Sequence, residues 1–323
     1  MLIDSKVLRV QQFLRTLFLR IKNLLMYKTK LFTLLSVIIL LHNSMHAQQD
    51  SVKNWKLKSL YSVNGTQNSF INWNAGGRNN ISLIGSIGAS AYYNKKKIKW
   101  TNDLSVALGG IKYLDKTTGV SLQKTDDRLD LSSSVGYNFN DHLFVTFLGG
   151  FKTQMADGFN YPNDSVKVST FMAPGYLNMA LGVDFAKSDN FSIFASLVAA
   201  KSTFVLNDSL SSIGAFGVEK GSRYRQEYGA YLKMKFNRVL AKNIEMKTKL
   251  ELFSNYLNNP QNIDVNAEVL LLFRVNSLFS ASAQWNLIYD DDINIRDVKG
   301  GYGPRTQFKS VLGIGISYKL ESK

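Results

Sequence analysis

The stretch RLDLSSSVGYNFNDHLFVTFLGGFK, residues 128–152, decides the fold. Mostly apolar residues alternate with polar residues along Leu129–Phe139, and the alternation resumes along Leu143–Phe151 after the polar turn Asn140-Asp141. Two alternating runs joined by a tight polar turn are typical of an antiparallel hairpin. Each run has about the ~10 residues that a tilted strand needs to cross a bilayer. We therefore predict that this hairpin repeats until it closes into a transmembrane barrel.

The same alternation recurs along the chain and predicts twelve strands. Besides the opening pair, these are Trp55–Val63, Ile81–Tyr93, Ile98–Leu108, Tyr176–Phe185, Phe191–Ala199, Tyr224–Phe236, Ile244–Leu252, Ile263–Phe273, Phe279–Tyr289 and Phe308–Leu320. Short turns alternate with long connections, of which the longest are residues 112–127, 154–170, 204–222 and 290–304. In bacterial barrels the short turns face the periplasm. The sequence thus predicts an all-β, antiparallel up-and-down barrel in a Gram-negative outer membrane, with both termini periplasmic.

A soluble β-sandwich also alternates, and alternation alone cannot exclude it, since its apolar face would be the inner one. The strand length, the even number of strands and the aromatic residues at both strand ends favour the barrel. A lysine or arginine that faced lipid at mid-membrane would cost about 2–4 kcal/mol. We therefore expect the charged faces of the eighth and ninth strands to point into the lumen.

The N-terminal region has the features of a secretory signal. Residues 26–47 combine a basic start, an apolar run from Leu31 to Leu41 and the small residue Ala47 as the cleavage candidate. The alternative is a membrane anchor, but the apolar run is short for a bilayer span. Residues 1–25 precede a complete signal, so we interpret them as a mis-annotated upstream extension. Residues 48–323 then form a single barrel domain.

Composition limits the chemistry and the partners. The chain has no cysteine, which excludes disulfides, thiolate metal sites and a cysteine nucleophile. Without residues 1–47 it has 32 basic and 23 acidic residues, a net charge of +9 instead of +15. Part of the basic excess belongs to targeting, and no basic cluster is interleaved with stacking aromatics, so we expect no nucleic-acid partner. The expected partners are outer-membrane lipid, the outer-membrane assembly machinery and a solute that the sequence does not identify.

The segment at residues 72–79, NWNAGGRN, breaks the alternation and is the most specific local motif. Through Asn72, Trp73, Gly76, Gly77 and Asn79, and more weakly over most of the chain from Trp55 onward, the sequence resembles an outer-membrane barrel family of Bacteroidota, domain of unknown function 3078. The resemblance implies a location and a fold but no activity. The segment itself could fold inward as a constriction or simply close the first hairpin.

Candidate catalytic and metal-binding residues are few. A serine hydrolase needs a base, usually histidine, and His142 beside a short turn is the one histidine after residue 47. Asp290, Asp291 and Asp292 could bind a hard cation, but the glycine and the terminal glutamate of an EF-hand loop are missing, so a solvated acidic loop is favoured. We predict a non-enzymatic protein with no catalytic residue, no metal and no cofactor.

Charged residues on the predicted eighth and ninth strands, and one on the tenth, are the candidates for the lumen wall. They are Arg223, Arg225, Glu227, Lys233, Lys235, Glu245, Lys247, Lys249, Glu251 and Glu268. They could form a charge ladder that fills a narrow lumen, or a selectivity lining for anionic solutes. Twelve strands lie between filled eight-stranded barrels and open porins. The sequence therefore predicts a porin-like narrow channel for small, anionic solutes, with a closed structural barrel whose loops bind partners as the alternative and a carboxylate enzyme as a remote third.

Overall fold

The computed structural model describes residues 54–69, 78–114, 122–161, 163–188, 190–296 and 301–322. The predicted upstream extension and signal peptide, residues 1–47, lie outside the described residues. The same holds for four residues of the signature segment, Asn72, Trp73, Gly76 and Gly77. Asn54–Lys323 forms one compact unit.

Twelve antiparallel strands of 11 to 18 residues form the wall of a closed barrel. In chain order they are β1 (Trp55–Asn68), β2 (Asn80–Lys95), β3 (Ile98–Tyr113), β4 (Gln123–Asn140), β5 (Leu143–Thr153), β6 (Gly175–Ser188), β7 (Phe191–Phe204), β8 (Tyr224–Ala241), β9 (Ile244–Asn255), β10 (Asp264–Arg274), β11 (Phe279–Tyr289) and β12 (Gln307–Glu321). Each strand pairs with its neighbours in sequence, and β12 pairs with β1. The predicted twelve-stranded up-and-down barrel is confirmed.

The two ends of the barrel differ in their connections. All connections that follow even-numbered strands are short, and we call their side the turn end; the long connections lie at the opposite, loop end. The start of β1 and the end of β12 both lie at the turn end, where Lys58 pairs in register with Glu321. These two positions lie at the same end because an antiparallel meander with an even number of strands finishes at the end where it begins.

Side chains face alternately outward and into the lumen, and the outward face is apolar. On β4, Leu131, Val135 and Tyr137 are about half exposed, whereas Ser132 and Gly136 between them are buried. A soluble β-sandwich would bury the apolar face and expose the polar one. The sandwich alternative is therefore wrong, and the outer surface is the kind that a bilayer covers.

Outward-facing aromatic side chains form contacts near the turn end. The rings of Phe185, Phe191 and Phe236 contact one another in sequence at centroid distances of 6.4 Å with edge-to-face geometry. Trp55 and Tyr93 contact at 5.1 Å on the opposite side of the barrel. Aromatic side chains concentrate at the water interfaces of membrane barrels. At the turn end, their positions match the aromatic residues that the sequence places at the strand ends.

Strand β7 contains a β-bulge that changes which residues face the lumen. One extra residue between Ser196 and Val198 shifts the register with both neighbouring strands. The Ser196 hydroxyl accepts the Val198 N–H at 3.0 Å and donates to the Leu181 carbonyl at 2.7 Å, which stabilises the bulge. Plain alternation along the predicted strand Phe191–Ala199 would place Ala199 on the same face as Phe191, but Ala199 is buried and Lys201 points into the lumen.

The connection between β3 and β4 is shorter than the sequence indicates. The predicted loop spans residues 112–127, but β3 continues to Tyr113 and β4 begins at Gln123. The charged run before Arg128 has the composition of a loop. It belongs to a strand because lumen-facing positions accept charge.

The other predicted long loops lie at the loop end but contain local structure. These elements are two short paired strands, Gly158–Phe159 and Lys167–Ser169; a helix, α1, Asp208–Ser212, capped by Asn207; and a short hairpin, Asn294–Arg296 with Tyr302–Pro304. Among the described residues, no helix has the length and apolar character needed to cross a membrane.

The loop around α1 packs as a small apolar cluster at the loop end. Its buried members are Ala173, Val205, Leu210 and Val218, with Phe216 packed against them. Burial of such side chains stabilises a connection that would otherwise be solvated. This loop therefore has a defined conformation above strands β6, β7 and β8.

A second loop at this end is held by a carboxylate. Hydrogen bonds from Lys167 and Thr170 lower the pKa of the exposed Asp157 carboxyl below its ordinary value. The two short strands of this loop are thus joined by a charge pair in addition to their backbone hydrogen bonds.

Candidate functional site in the barrel lumen

Nine of the ten predicted lumen candidates lie on the inner face of the wall. They are Arg225, Glu227, Lys233 and Lys235 on β8, Glu245, Lys247, Lys249 and Glu251 on β9, and Glu268 on β10. Arg223 is the exception, because it precedes β8; its guanidinium is 58% exposed and pairs with Asp208 on α1. The barrel interior is therefore charged, and several of its charged side chains are almost fully buried.

Glu251 is the centre of a cluster at mid-height. Its carboxylate pairs with Lys152 from β5 and with Lys249 at 3.3 Å, and it accepts hydrogen bonds from Tyr231 and Asn266, both at 3.0 Å. The residue is only 7% exposed. Removing a charge from water costs several kcal/mol unless it is paired and hydrogen-bonded. Here the carboxylate is paired and hydrogen-bonded by side chains from four strands, β5, β8, β9 and β10.

Ion pairs also join walls that face each other across the lumen. Strands β4 and β10 are six positions apart in a ring of twelve, and Arg128 of β4 pairs with Glu268 of β10 at 2.8 Å. Lys249 of β9 reaches Asp130 of β4 at 3.2 Å. These ion pairs bridge opposite walls of the barrel, and their side chains are between 15% and 27% exposed.

A second cluster, near the loop end, surrounds Lys201. Its ammonium group contacts three carboxylates: Asp264, Asp290 at 2.9 Å and Glu227 at 3.6 Å. Glu227 is 2% exposed. The sequence does not reveal this cluster, because simple alternation from Phe191 would turn Lys201 outward. The bulge in β7 is what places it in the lumen.

Arg225 links the β11–β12 connection to the barrel wall through ion pairs. Its guanidinium pairs with Glu227 at 2.7 Å and with Asp292 at 3.2 Å, and donates to the Gly217 carbonyl at 3.2 Å. Asp290 and Asp292 are thus partners of basic side chains instead of a solvated acidic run. Among the described residues, no group of three histidines, cysteines, aspartates or glutamates has the arrangement of a metal site.

A cavity of about 420 Å³ lies in the lumen beside the mid-height cluster and extends toward the turn end. Its lining runs from Asn64, Ala107 and Asp126, in the loop-end halves of β1, β3 and β4, to Ser188 and Asn190 at the β6–β7 turn. Nine basic and six acidic side chains line it. The lumen therefore contains buried, ion-paired clusters and a positively charged cavity that reaches the turn end.

Several residues of these clusters were not singled out from the sequence. Arg128, Asp130 and Lys152 stand on the polar face of the opening hairpin, so the alternation could have identified them as lumen residues. Their partners on β9 and β10 could not be identified, because pairing across the lumen depends on the stagger of the closed barrel.

The sequence also suggests His142 as a candidate base and residues 72–79 as a signature segment, and the described parts of both have structural positions. His142 lies in the β4–β5 turn, with its ring 6.2 Å from that of Phe185. At the end of the signature segment, the Asn79 carbonyl accepts the Leu114 N–H at 2.8 Å, and the Arg78 guanidinium lies 4.1 Å from the centre of the Tyr113 ring. Arg78 and Asn79 thus contact the end of β3.

Several solved structures of outer-membrane proteins are similar to this chain at low sequence identity. An outer membrane channel from Pseudomonas putida F1 is 11% identical, with 83% of this chain and 96% of that chain covered and a TM-score of 0.37. The translocator domain of the autotransporter NalP from Neisseria meningitidis is 8% identical, with 88% and 97% covered and a TM-score of 0.34. The NanC porin is 7% identical, with 81% and 100% covered and a TM-score of 0.34.

A comparison with curated proteins finds no match. Residues 66–159 match the sequence profile of a family described as "Protein of unknown function (DUF3078)". The matched region spans the last three residues of β1 and all of β2 to β5, and it includes the segment at residues 72–79 on which the predicted resemblance rests. Over residues 66–159, the chain is thus similar to the uncharacterised family DUF3078, as its signature segment predicts.

Proposed function

We propose that this chain is a non-enzymatic outer-membrane barrel whose lumen is closed, with its ordered loops outside the cell and both termini in the periplasm. Its apolar exterior and aromatic residues at the turn end support contact with membrane lipid. Insertion of such a barrel would involve the outer-membrane assembly machinery. The loops at the opposite end, one of them packed around α1, offer a surface of defined shape for external partners.

The observation that carries this proposal is the set of ion pairs across the lumen. Arg128 with Glu268 and Lys249 with Asp130 occupy the middle of the barrel, and the Lys201 cluster lies above them. An open pore would leave its charged side chains solvated along the wall. Glu227 and Glu251 are 2% and 7% exposed instead. This burial supports a lumen that has no continuous path for water and ions.

A narrow channel for small anionic solutes, the function predicted first from the sequence, is the second candidate. The observation that favours it is the cavity at the turn end, where basic side chains outnumber acidic ones. In this case the side chains at mid-height would have to separate during passage.

Single-channel recording in planar bilayers distinguishes the two candidates. The closed barrel predicts no current steps from the purified protein at any moderate voltage. The channel predicts ohmic steps whose ion selectivity changes in Arg225→Ala, which alters the lumen, and stays the same in Arg223→Ala, which alters an exposed loop side chain. The latter pattern would overturn the closed barrel.

A further inference from the structure

The cavity at the turn end has more positive charge than its carboxylates neutralise. Nine lysine and arginine side chains line it, against six aspartates and glutamates. Carboxylates are shared here: Glu245 pairs with both Lys247 at 3.7 Å and Arg274 at 3.2 Å. A concave, low-dielectric wall with one sign of charge in excess concentrates ions of the opposite sign. The cavity therefore attracts anions.

At the rim, one carboxylate serves three lysines. Glu321 lies 3.8, 3.6 and 3.5 Å from the ammonium groups of Lys56, Lys58 and Lys319. Two of these lysines, Lys58 and Lys319, also line the cavity. Two carboxylates that do not line the cavity, Glu251 and Glu321, pair with lysines that do. Each of them also pairs with a lysine outside the lining: Glu251 with Lys152, and Glu321 with Lys56. The excess of basic groups is therefore not removed by carboxylates behind the wall.

Lys99 is the lining lysine that the described carboxylates leave without an ion pair. Its ammonium group lies over the Phe144 ring, 5.2 Å from the centroid. In register it faces Gly136, beside which the Phe144 and Thr146 side chains fill the space of the missing Cβ. A lysine that contacts an aromatic ring and has no carboxylate partner keeps its hydrogen-bond donors for a ligand.

Two hydroxyl groups stand next to Lys99 on the same wall. Thr101, two residues further along β3, forms a cross-strand pair with Ser134 of β4, and both line the cavity with Lys99. Paired residues on one face of a sheet have Cβ atoms about 5 Å apart. One ammonium group and two hydroxyls thus converge on one small area.

The charged groups on the facing strands determine the charge that a ligand must carry. Asp184 of β6 and Asp103 of β3 line the same part of the cavity, with Lys233 and Lys235 of β8. Lys235 pairs with Asp103, and Lys233 donates to the Ser132 hydroxyl at 3.0 Å. Together with Lys99 these are three cations and two carboxylates; Lys233 also lies 3.9 Å from Glu251, but that carboxylate is shared with Lys152 and Lys249. A ligand that neutralises the group must therefore carry negative charge itself.

We propose that this cavity binds a small oxyanion of the phosphate or sulfate class, held by Lys99, Thr101 and Ser134. Charge-assisted hydrogen bonds from an ammonium group and neutral hydroxyl donors match the oxygens of such an anion. The cavity volume of about 420 Å³ accommodates the ion with part of its hydration shell. The site is reached from the turn end and does not depend on whether the lumen conducts.

Isothermal titration of the purified full chain in detergent with inorganic phosphate, and separately with sulfate, tests the site. We expect saturable binding that weakens by about tenfold or more in Lys99→Met, since one charge-assisted bond is lost. Lys95→Met, at the exposed β2–β3 turn, is the matched control and should bind like the unmodified chain. Ser134→Ala should weaken binding, whereas Ser282→Ala, a lining serine on β11, should not.

Each variant is first shown to migrate as a folded barrel before heating in gel electrophoresis. Absence of saturable binding to either anion would overturn the proposal, and so would equal affinities of the Lys99 and Lys95 variants. Neither result bears on the closed lumen, which the conductance recordings test separately.

Discussion

Glu251 is the residue on which the mid-height cluster depends. The substitution Glu251→Gln keeps the shape of the side chain but leaves Lys152 with no described carboxylate partner inside the barrel. Removing one partner of a buried ion pair typically costs about 3–5 kcal/mol. We therefore predict a loss of roughly that size in the free energy of unfolding, measured by urea titration of the barrel in phospholipid vesicles.

The matched control is Glu219→Gln, which changes an exposed carboxylate in the loop after α1. Its unfolding free energy should stay within about 0.5 kcal/mol of that of the unmodified chain, as for most surface substitutions. Equal unfolding curves for the two variants would contradict the role assigned to Glu251.

At the residue scale, the sequence predicts which side chains face the lumen better than it predicts which side chains they pair with. Alternation on β8 and β9 was enough to turn Lys233 and Lys249 inward, because lipid excludes charge from the other face. It could not predict that Lys249 reaches Asp130, more than a hundred residues away, since that contact depends on barrel diameter and stagger. Arg223 shows the opposite limit: it continues the charged run of β8, but the strand begins one residue later.

Among the elements, β7 contains the bulge that places Lys201 in the lumen. Deleting Val198 would remove the extra residue and make the alternation of β7 regular, and Lys201 would stay in the lumen because the strand on each side of the bulge keeps its register. Lys201 would therefore keep its contacts with Glu227, Asp264 and Asp290. We predict that the deletion variant still forms a heat-modifiable folded barrel.

Deletion of Val269 in β10, a strand that pairs with both neighbours without a register shift, is the contrast. It moves every side chain on one side of the deletion to the other face, so this variant should not form a folded barrel. Deletion of Gln261, in the connection between β9 and β10, is the control for chain shortening and should fold like the unmodified chain. A Val198 deletion that fails to fold while the Gln261 deletion folds would contradict the register assigned to the bulge.

The elements themselves were largely predictable, and their errors have one cause. All twelve strands were predicted, but β4 begins five residues before its predicted start because Lys124, Asp126 and Asp127 have the composition of a loop. In the barrel, Asp127 pairs with Lys124 at 3.0 Å, and Asp126 pairs with Lys309 at 2.6 Å. Charge marks a loop in a soluble protein, but it also marks the lumen face of a membrane strand.

For the whole molecule, alternation gives an apolar outside and a charged inside but not the width of the lumen. Width depends on strand number and stagger, and closure depends on how far opposed side chains reach. Twelve strands leave room for a narrow pore, yet Arg128 and Glu268 meet across it. The two functions left open by the sequence, channel and closed barrel, therefore differ in one physical property, a continuous water path.

Thiol labelling of single-cysteine variants tests that property most directly, because the chain has no cysteine of its own. The three variants are Ser165→Cys at the loop end, Asn94→Cys at the turn end and Ser134→Cys in the cavity below the ion pairs, each reconstituted in vesicles and treated with a membrane-impermeant thiol reagent before and after permeabilisation. If the lumen is closed, the reagent labels Ser134→Cys under the same conditions as Asn94→Cys. When the reagent has access only to the side that labels Ser165→Cys, Ser134→Cys stays unlabelled. Labelling of Ser134→Cys together with Ser165→Cys would contradict it.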